Sequence, residues 1–130
     1  MRYLTDRKRA EGLGAAKSGT EHHWNMQVSA VALAVLVPLF IFIVGPVIGA
    51  PLERVIMRLA HPVPAVITGL TLVVGLTHFK NGARMMIEDY AQGAARKALI
   101  LATSGFAHLL MATGLFALVR LALIPFLIRG

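Results

Sequence analysis

The 130 residues contain no cysteine. The chain therefore holds no disulfide, no thiolate metal site, no iron–sulfur cluster and no CxxCH motif for covalent haem attachment. Charge is also scarce. Only 15% of residues are Asp, Glu, Lys or Arg, against about 25% in an ordinary soluble domain. Acids are the scarcest, at six against thirteen Lys and Arg. The shortage has a pattern. No Asp, Glu, Lys or Arg stands between Glu21 and Glu53, between Arg58 and Lys80, or between Lys97 and Arg120. Each gap is as long as the ~20 residues that cross a hydrocarbon core of ~30 Å.

What fills the gaps is apolar. The chain is 57% hydrophobic, with a mean hydropathy of +0.72. This predicts an all-α membrane protein with three transmembrane helices, over residues of about 25–47, 63–89 and 98–119 or longer. The anchor spans 25–128, and residues 1–24 form a polar, basic arm. Three helices enclose little core, so the fold is expected to be part of a larger bundle. The formal charge of +7 does not point to nucleic acid. The cations sit at the ends of apolar runs, without interleaved aromatics, as positive-inside topology requires. The first apolar run begins only near Met26 and is too long for a signal-peptide core.

In the arm, Gly12, Gly14 and Gly19 argue for an extended chain. His22, His23 and Trp24 stand where an interface anchor belongs. Pro38 lies inside the first span, where a kink is expected. Ser29, Ala30, Ala32 and Ala34 offer a small-residue surface for a close neighbour. Leu52, Val55, Ile56 and Leu59 have the spacing of a short amphipathic helix at the far interface. The arm carries Arg2, Arg7, Lys8, Arg9 and Lys17, and Lys80, Arg84, Arg96 and Lys97 fall on the same side. Arg54, Arg58, Arg120 and Arg129 fall on the other. The imbalance puts the N-terminus on the cytoplasmic side, or the matrix side of a mitochondrial membrane, and the C-terminus on the other side, which is the periplasm for a bacterial inner membrane.

Ionisable groups inside a membrane span are costly and usually face a partner or a cavity. His78 and His108 meet that description. His78 has the chemistry of an axial ligand to a non-covalently held haem b, and equally that of a polar group bonded to a neighbouring helix. Lys80 and Arg84 follow within two turns, as candidate counter-charges for haem propionates, and Gly82 leaves room for a ring edge or a helix. For His108, a hydrogen bond to Ser104 one turn away suffices. Asp89 and Tyr90 bring a carboxylate and a phenol to the end of the second span. A phenol O–H can donate to a quinone carbonyl while its ring stays in apolar surroundings. Helix termination with an interface anchor explains the pair as well. His78 and Asp89 lie about 20° apart around a helix, and His78 and Tyr90 are roughly 18 Å apart along it. Such groups serve two sites at different depths, not one small substrate.

The stretch His78-x3-Gly82-x6-Asp89-Tyr90, with the arm Gly12-Leu13-Gly14-Ala15-Ala16-Lys17-Ser18-Gly19-Thr20-Glu21-His22-His23-Trp24, resembles the hydrophobic membrane anchor subunits of bacterial succinate dehydrogenase, complex II. The resemblance implies a subunit of a succinate:ubiquinone oxidoreductase, tying the citric acid cycle to the respiratory chain. It implies a second anchor subunit that shares the bundle and supplies the other haem ligand, an iron–sulfur subunit, and a flavoprotein subunit. It assigns His78 as a haem b ligand, and Tyr90 and Asp89 to the ubiquinone site. Where it leads one to expect arginine after Gln27, this chain has Val28. Two alternatives stay open at the level of sequence. One is the anchor of another haem b and quinone enzyme, such as fumarate reductase. The other is a cofactor-free structural membrane protein.

Overall fold

The computed structural model describes residues 5–11 and 19–129. Part of the arm's glycine-rich stretch, with Gly12, Gly14 and Lys17, lies outside the described residues. The described residues are almost all helical, and none of them forms a strand. Helix α1 spans Asp6–Glu11 and α2 spans Gly19–Val44, followed by a 3₁₀ turn at Gly45–Val47. Helix α3 spans Leu52–Ala60, α4 spans Pro62–Tyr90 and α5 spans Gly93–Arg129.

Three of these helices are long and apolar enough to cross a membrane: α2 with its 3₁₀ turn, α4 and α5. The arm departs from the extended chain expected of it. Asp6–Glu11 forms a helical turn, with the Lys8 backbone N–H donating to Thr5 Oγ1 at 3.3 Å. From Gly19 onward the arm is already part of α2. Trp24 lies on the first turns of that helix and is exposed, as an interface anchor should be.

Pro38 removes one backbone donor, yet α2 continues through it. The end of α2 leaves carbonyls without helical partners. One of them, Ile43, accepts a hydrogen bond from Arg58 Nε at 3.4 Å. Arg58 therefore ties α3 back to the end of the first span. Helix α3 is amphipathic as expected, except that Leu52, in its first turn, is exposed rather than on the covered face. Val55, Ile56 and Leu59 are half-buried against the bundle, while Glu53, Arg54 and Arg58 are exposed. Pro62 and Pro64 stand in the first turn of α4, where a missing N–H has no cost.

The third span starts earlier than expected. Only Ala91 and Gln92 separate α4 from α5. Gly93 takes φ +60°, a conformation that favours glycine, and reverses the chain there. The alanines that follow are strong helix formers, so the helix begins before Arg96 and Lys97 rather than after them. It continues past Arg120 and through Pro125.

Helix α4 lies between α2 and α5 and packs against both, while α2 and α5 scarcely meet. The spans thus form a row rather than a closed core. Little of each is covered: 6%, 11% and 6% of the most apolar window of the first, second and third span. The described core consists of Ile43, Val47, Ile87 and Ala107, and none of the described polar or charged residues is buried. In water this exposure would be untenable. In a bilayer, it leaves wide apolar faces for lipid and for neighbouring subunits.

Glycine sets the α4–α5 contact. A Cβ on Gly69 would meet Leu115 and Leu118 at 3.6 Å, and one on Gly114 would stand 2.5 Å from Leu72 Cδ2. Gly114→Ala should force Leu72 out of its rotamer at a cost of about 1 kcal/mol. Gly114→Ile should cost about 2–3 kcal/mol, because the branched side chain overpacks the contact. Thermal unfolding of the detergent-purified protein should show midpoints falling in the order Gly, Ala, Ile. Equal midpoints would mean that α4 and α5 do not meet at this point.

Candidate functional site

Helices α2 and α4 run antiparallel, and their seam is in register. Met26 stands opposite Gly82, Ser29 opposite His78, and Leu33 opposite Gly75. A Cβ on Gly82 would lie 3.8 Å from Met26 Cε, and one on Gly75 would lie 3.8 Å from Leu33 Cδ2. Two glycines thus stand on this seam, one turn on either side of His78, and a Cβ on either would make only ordinary contact across it. In the gap between them, His78 Nδ1 lies 2.9 Å from Ser29 Oγ. Ser29 Oγ also donates to the backbone carbonyl of Met26 at 2.9 Å. Among the described residues Nε2 of His78 has no hydrogen-bond partner.

The small-residue surface expected on α2 therefore divides. Ser29 and Ala32 are half-buried, while Ala30 and Ala34 are exposed. Gly82 faces α2. Ser29 was legible in the sequence as a small residue, but not as the partner of His78. A polar residue in an apolar span was the available signal. Its pairing depends on the register between two helices 49 positions apart in the chain.

Lys80 and Arg84 are turned elsewhere. They lie about 200° and 240° around α4 from His78. With Asn81, Ile100, Thr103 and Ser104 they line a small pocket of about 160 Å³ between α4 and α5. Arg84 Nε donates to Glu88 Oε1 at 2.9 Å, and Arg96 approaches the same oxygen at 3.8 Å. Glu88 thus links the last turns of α4 to the first turn of α5. These are partly exposed pairs of modest strength.

Asp89 and Tyr90 end α4, and both are exposed, Tyr90 at 87%. The helix stops there because Ala91 turns extended, with its N–H donating to Ile87 at 2.9 Å. The structure does not bring Tyr90 to His78. They sit at the end and near the middle of one helix, as the axial spacing required. His108 is exposed on α5, and its Nδ1 lies 2.7 Å from the backbone carbonyl of Ser104. The bond to Ser104 is present, but to its carbonyl rather than its hydroxyl.

No group of three or more His, Cys, Asp or Glu among the described residues could hold a bare metal ion. An iron that brings four porphyrin nitrogens needs only one donor from this chain. A neutral imidazole with one nitrogen tied and the other unpartnered meets that need.

Residues 1–118 match the family described as the succinate dehydrogenase/fumarate reductase transmembrane subunit. The chain is 50% identical, over 123 residues covering 95% of each protein, to the succinate dehydrogenase hydrophobic membrane anchor subunit of Paracoccus denitrificans. No solved structure matches it significantly. A row of three apolar helices with wide uncovered faces is what an anchor for other subunits requires, and the chain belongs to the succinate dehydrogenase/fumarate reductase transmembrane subunit family.

Proposed function

We propose that this anchor serves a succinate:ubiquinone oxidoreductase, with His78 as one axial ligand of a haem b and Tyr90 and Asp89 at the ubiquinone site. The observation that carries the proposal is the state of His78. It is half-buried in a membrane span, its Nδ1 is engaged by Ser29, and its Nε2 is unpartnered among the described residues. Haem, when bound, supplies a one-electron store within the membrane. The name of the Paracoccus denitrificans relative favours succinate oxidation over the reverse direction.

In this reading the chain contributes position and hydrogen bonds. A second anchor subunit would supply the other iron ligand and cover the uncovered faces of the row. The iron–sulfur and flavoprotein subunits would stand over the cytoplasmic end. Cation placement along the sequence favours the arm and the Asp89–Tyr90 end on that side of a bacterial inner membrane. An odd number of spans then sends the C-terminus to the periplasm. Tyr90 at the end of α4 has its hydroxyl free to donate to a quinone carbonyl. Asp89 beside it can orient that headgroup or pass a proton. For Lys80 and Arg84, a propionate role requires both side chains to wrap around α4, because they face α5.

Three replacements in the assembled complex separate these roles. His78→Ala should abolish or broaden the haem b bands in the visible spectrum. His108→Ala should leave them unchanged, since His108 is exposed and satisfied by its own helix. Tyr90→Phe should slow succinate-to-quinone turnover about tenfold, the loss of one hydrogen bond worth about 1.4 kcal/mol. Succinate oxidation by a soluble dye should be unaffected. Unchanged bands in His78→Ala would remove the ligand assignment. Unchanged quinone turnover in Tyr90→Phe would remove the quinone assignment.

A further inference from the structure

We infer that Ser29 is a positioning residue for His78, deciding which ring nitrogen faces the iron and how strongly it donates. The inference rests on the proposal that His78 is a haem ligand. Its physical basis is the proton count at one hydroxyl.

Ser29 Oγ has one proton and two lone pairs. It lies 2.9 Å from two groups, the Met26 carbonyl oxygen and His78 Nδ1. The carbonyl can only accept, so the hydroxyl proton points to Met26. The lone pairs then remain for the imidazole, and Nδ1 must carry the hydrogen. The reverse assignment would leave two acceptor oxygens 2.9 Å apart with no proton between them. The neutral ring is therefore held as the Nδ1–H tautomer, with the lone pair on Nε2.

Two effects follow. The hydrogen bond fixes the ring about its χ2 axis, so that Nε2 keeps one direction. It also shifts electron density toward Nε2 and makes that nitrogen a stronger donor, as carboxylate or carbonyl partners do for metal-bound histidines generally. Its setting strengthens the contact. Gly82 and Gly75 flank it one turn away on α4, and the surroundings are apolar, where little water competes for either group. The polar partner comes from a different membrane helix, so the tautomer depends on the α2–α4 register.

The test uses the intact complex carrying Ser29→Ala, Ser29→Thr or Ser29→Val, with His78→Ala in parallel. Haem midpoint potential is read by redox titration, the ferric haem by low-temperature electron paramagnetic resonance, and haem content per complex by absorbance. Without an acceptor on Nδ1–H the iron loses donation, so Ser29→Ala should shift the midpoint to more positive potential and alter the resonance of the ferric haem. Haem retention should weaken about 10-fold or more. Ser29→Thr keeps the hydroxyl and should restore the wild-type potential. Ser29→Val has nearly the same shape without the hydroxyl and should behave like Ser29→Ala. If Ser29→Ala does not assemble, the Thr and Val pair decides alone. Equal potentials and resonances in Thr and Val would overturn the role of Ser29 while leaving His78 as ligand. If His78→Ala keeps the wild-type haem spectrum, the ligand reading falls and the Ser29 inference falls with it.

Discussion

The cross-helix hydrogen bond between Ser29 and His78 is the constraint on which the rest of the arrangement turns. Among the described residues it is the only side chain–side chain hydrogen bond that joins two of the long helices. An imidazole left unpaired in hydrocarbon would be costly; His108 is met by the Ser104 carbonyl of its own helix, whereas His78 is met by Ser29 of a neighbouring one. Satisfying Nδ1 while leaving Nε2 open fixes the depth and rotation of α4 against α2. Gly75 and Gly82 lie on the same seam, one turn on either side of His78. Once α4 is set, its other face, with Gly69 and Leu72, receives α5 through Gly114.

The same placement explains why the fold is a row. With α4 in the middle, α2 and α5 scarcely touch, and most large apolar side chains lie on the outside. Membrane helices gain little from burying leucine against leucine when lipid is equally apolar. Small residues and a few polar contacts therefore fix the geometry. The uncovered faces suit a subunit whose work is done in an assembly. Tyr90, at 87% exposure on the last turn of α4, belongs to the same picture. Its side chain is presented outward and not folded back onto the chain.

The three spans were legible in the sequence because absence of charge over about 20 residues is a one-dimensional signal. The short amphipathic α3 was legible for a similar reason, since its apolar positions repeat with helical period. What depends on contact between helices was not. The early start of α5 follows from the backbone turn at Gly93, and nothing in the run of charges marks it. The helix in Asp6–Glu11 forms ahead of the glycines that suggested an extended arm. Lys80 and Arg84 looked like companions of His78 because they are near it in sequence. Helical geometry turns them to the opposite side. Ser29 looked like a spacer, because only the register of α2 on α4 reveals it as a partner.

The central claim is that His78 is held by this seam so that Nε2 faces a metal centre supplied with its own macrocycle. A high-resolution density map of the assembled complex tests it directly. The account predicts a flat macrocycle whose iron meets Nε2 of His78, with Ser29 Oγ on Nδ1. It would be contradicted by a map in which His78 Nε2 faces lipid, or bonds to a side chain of a neighbouring subunit, with no macrocycle beside α4.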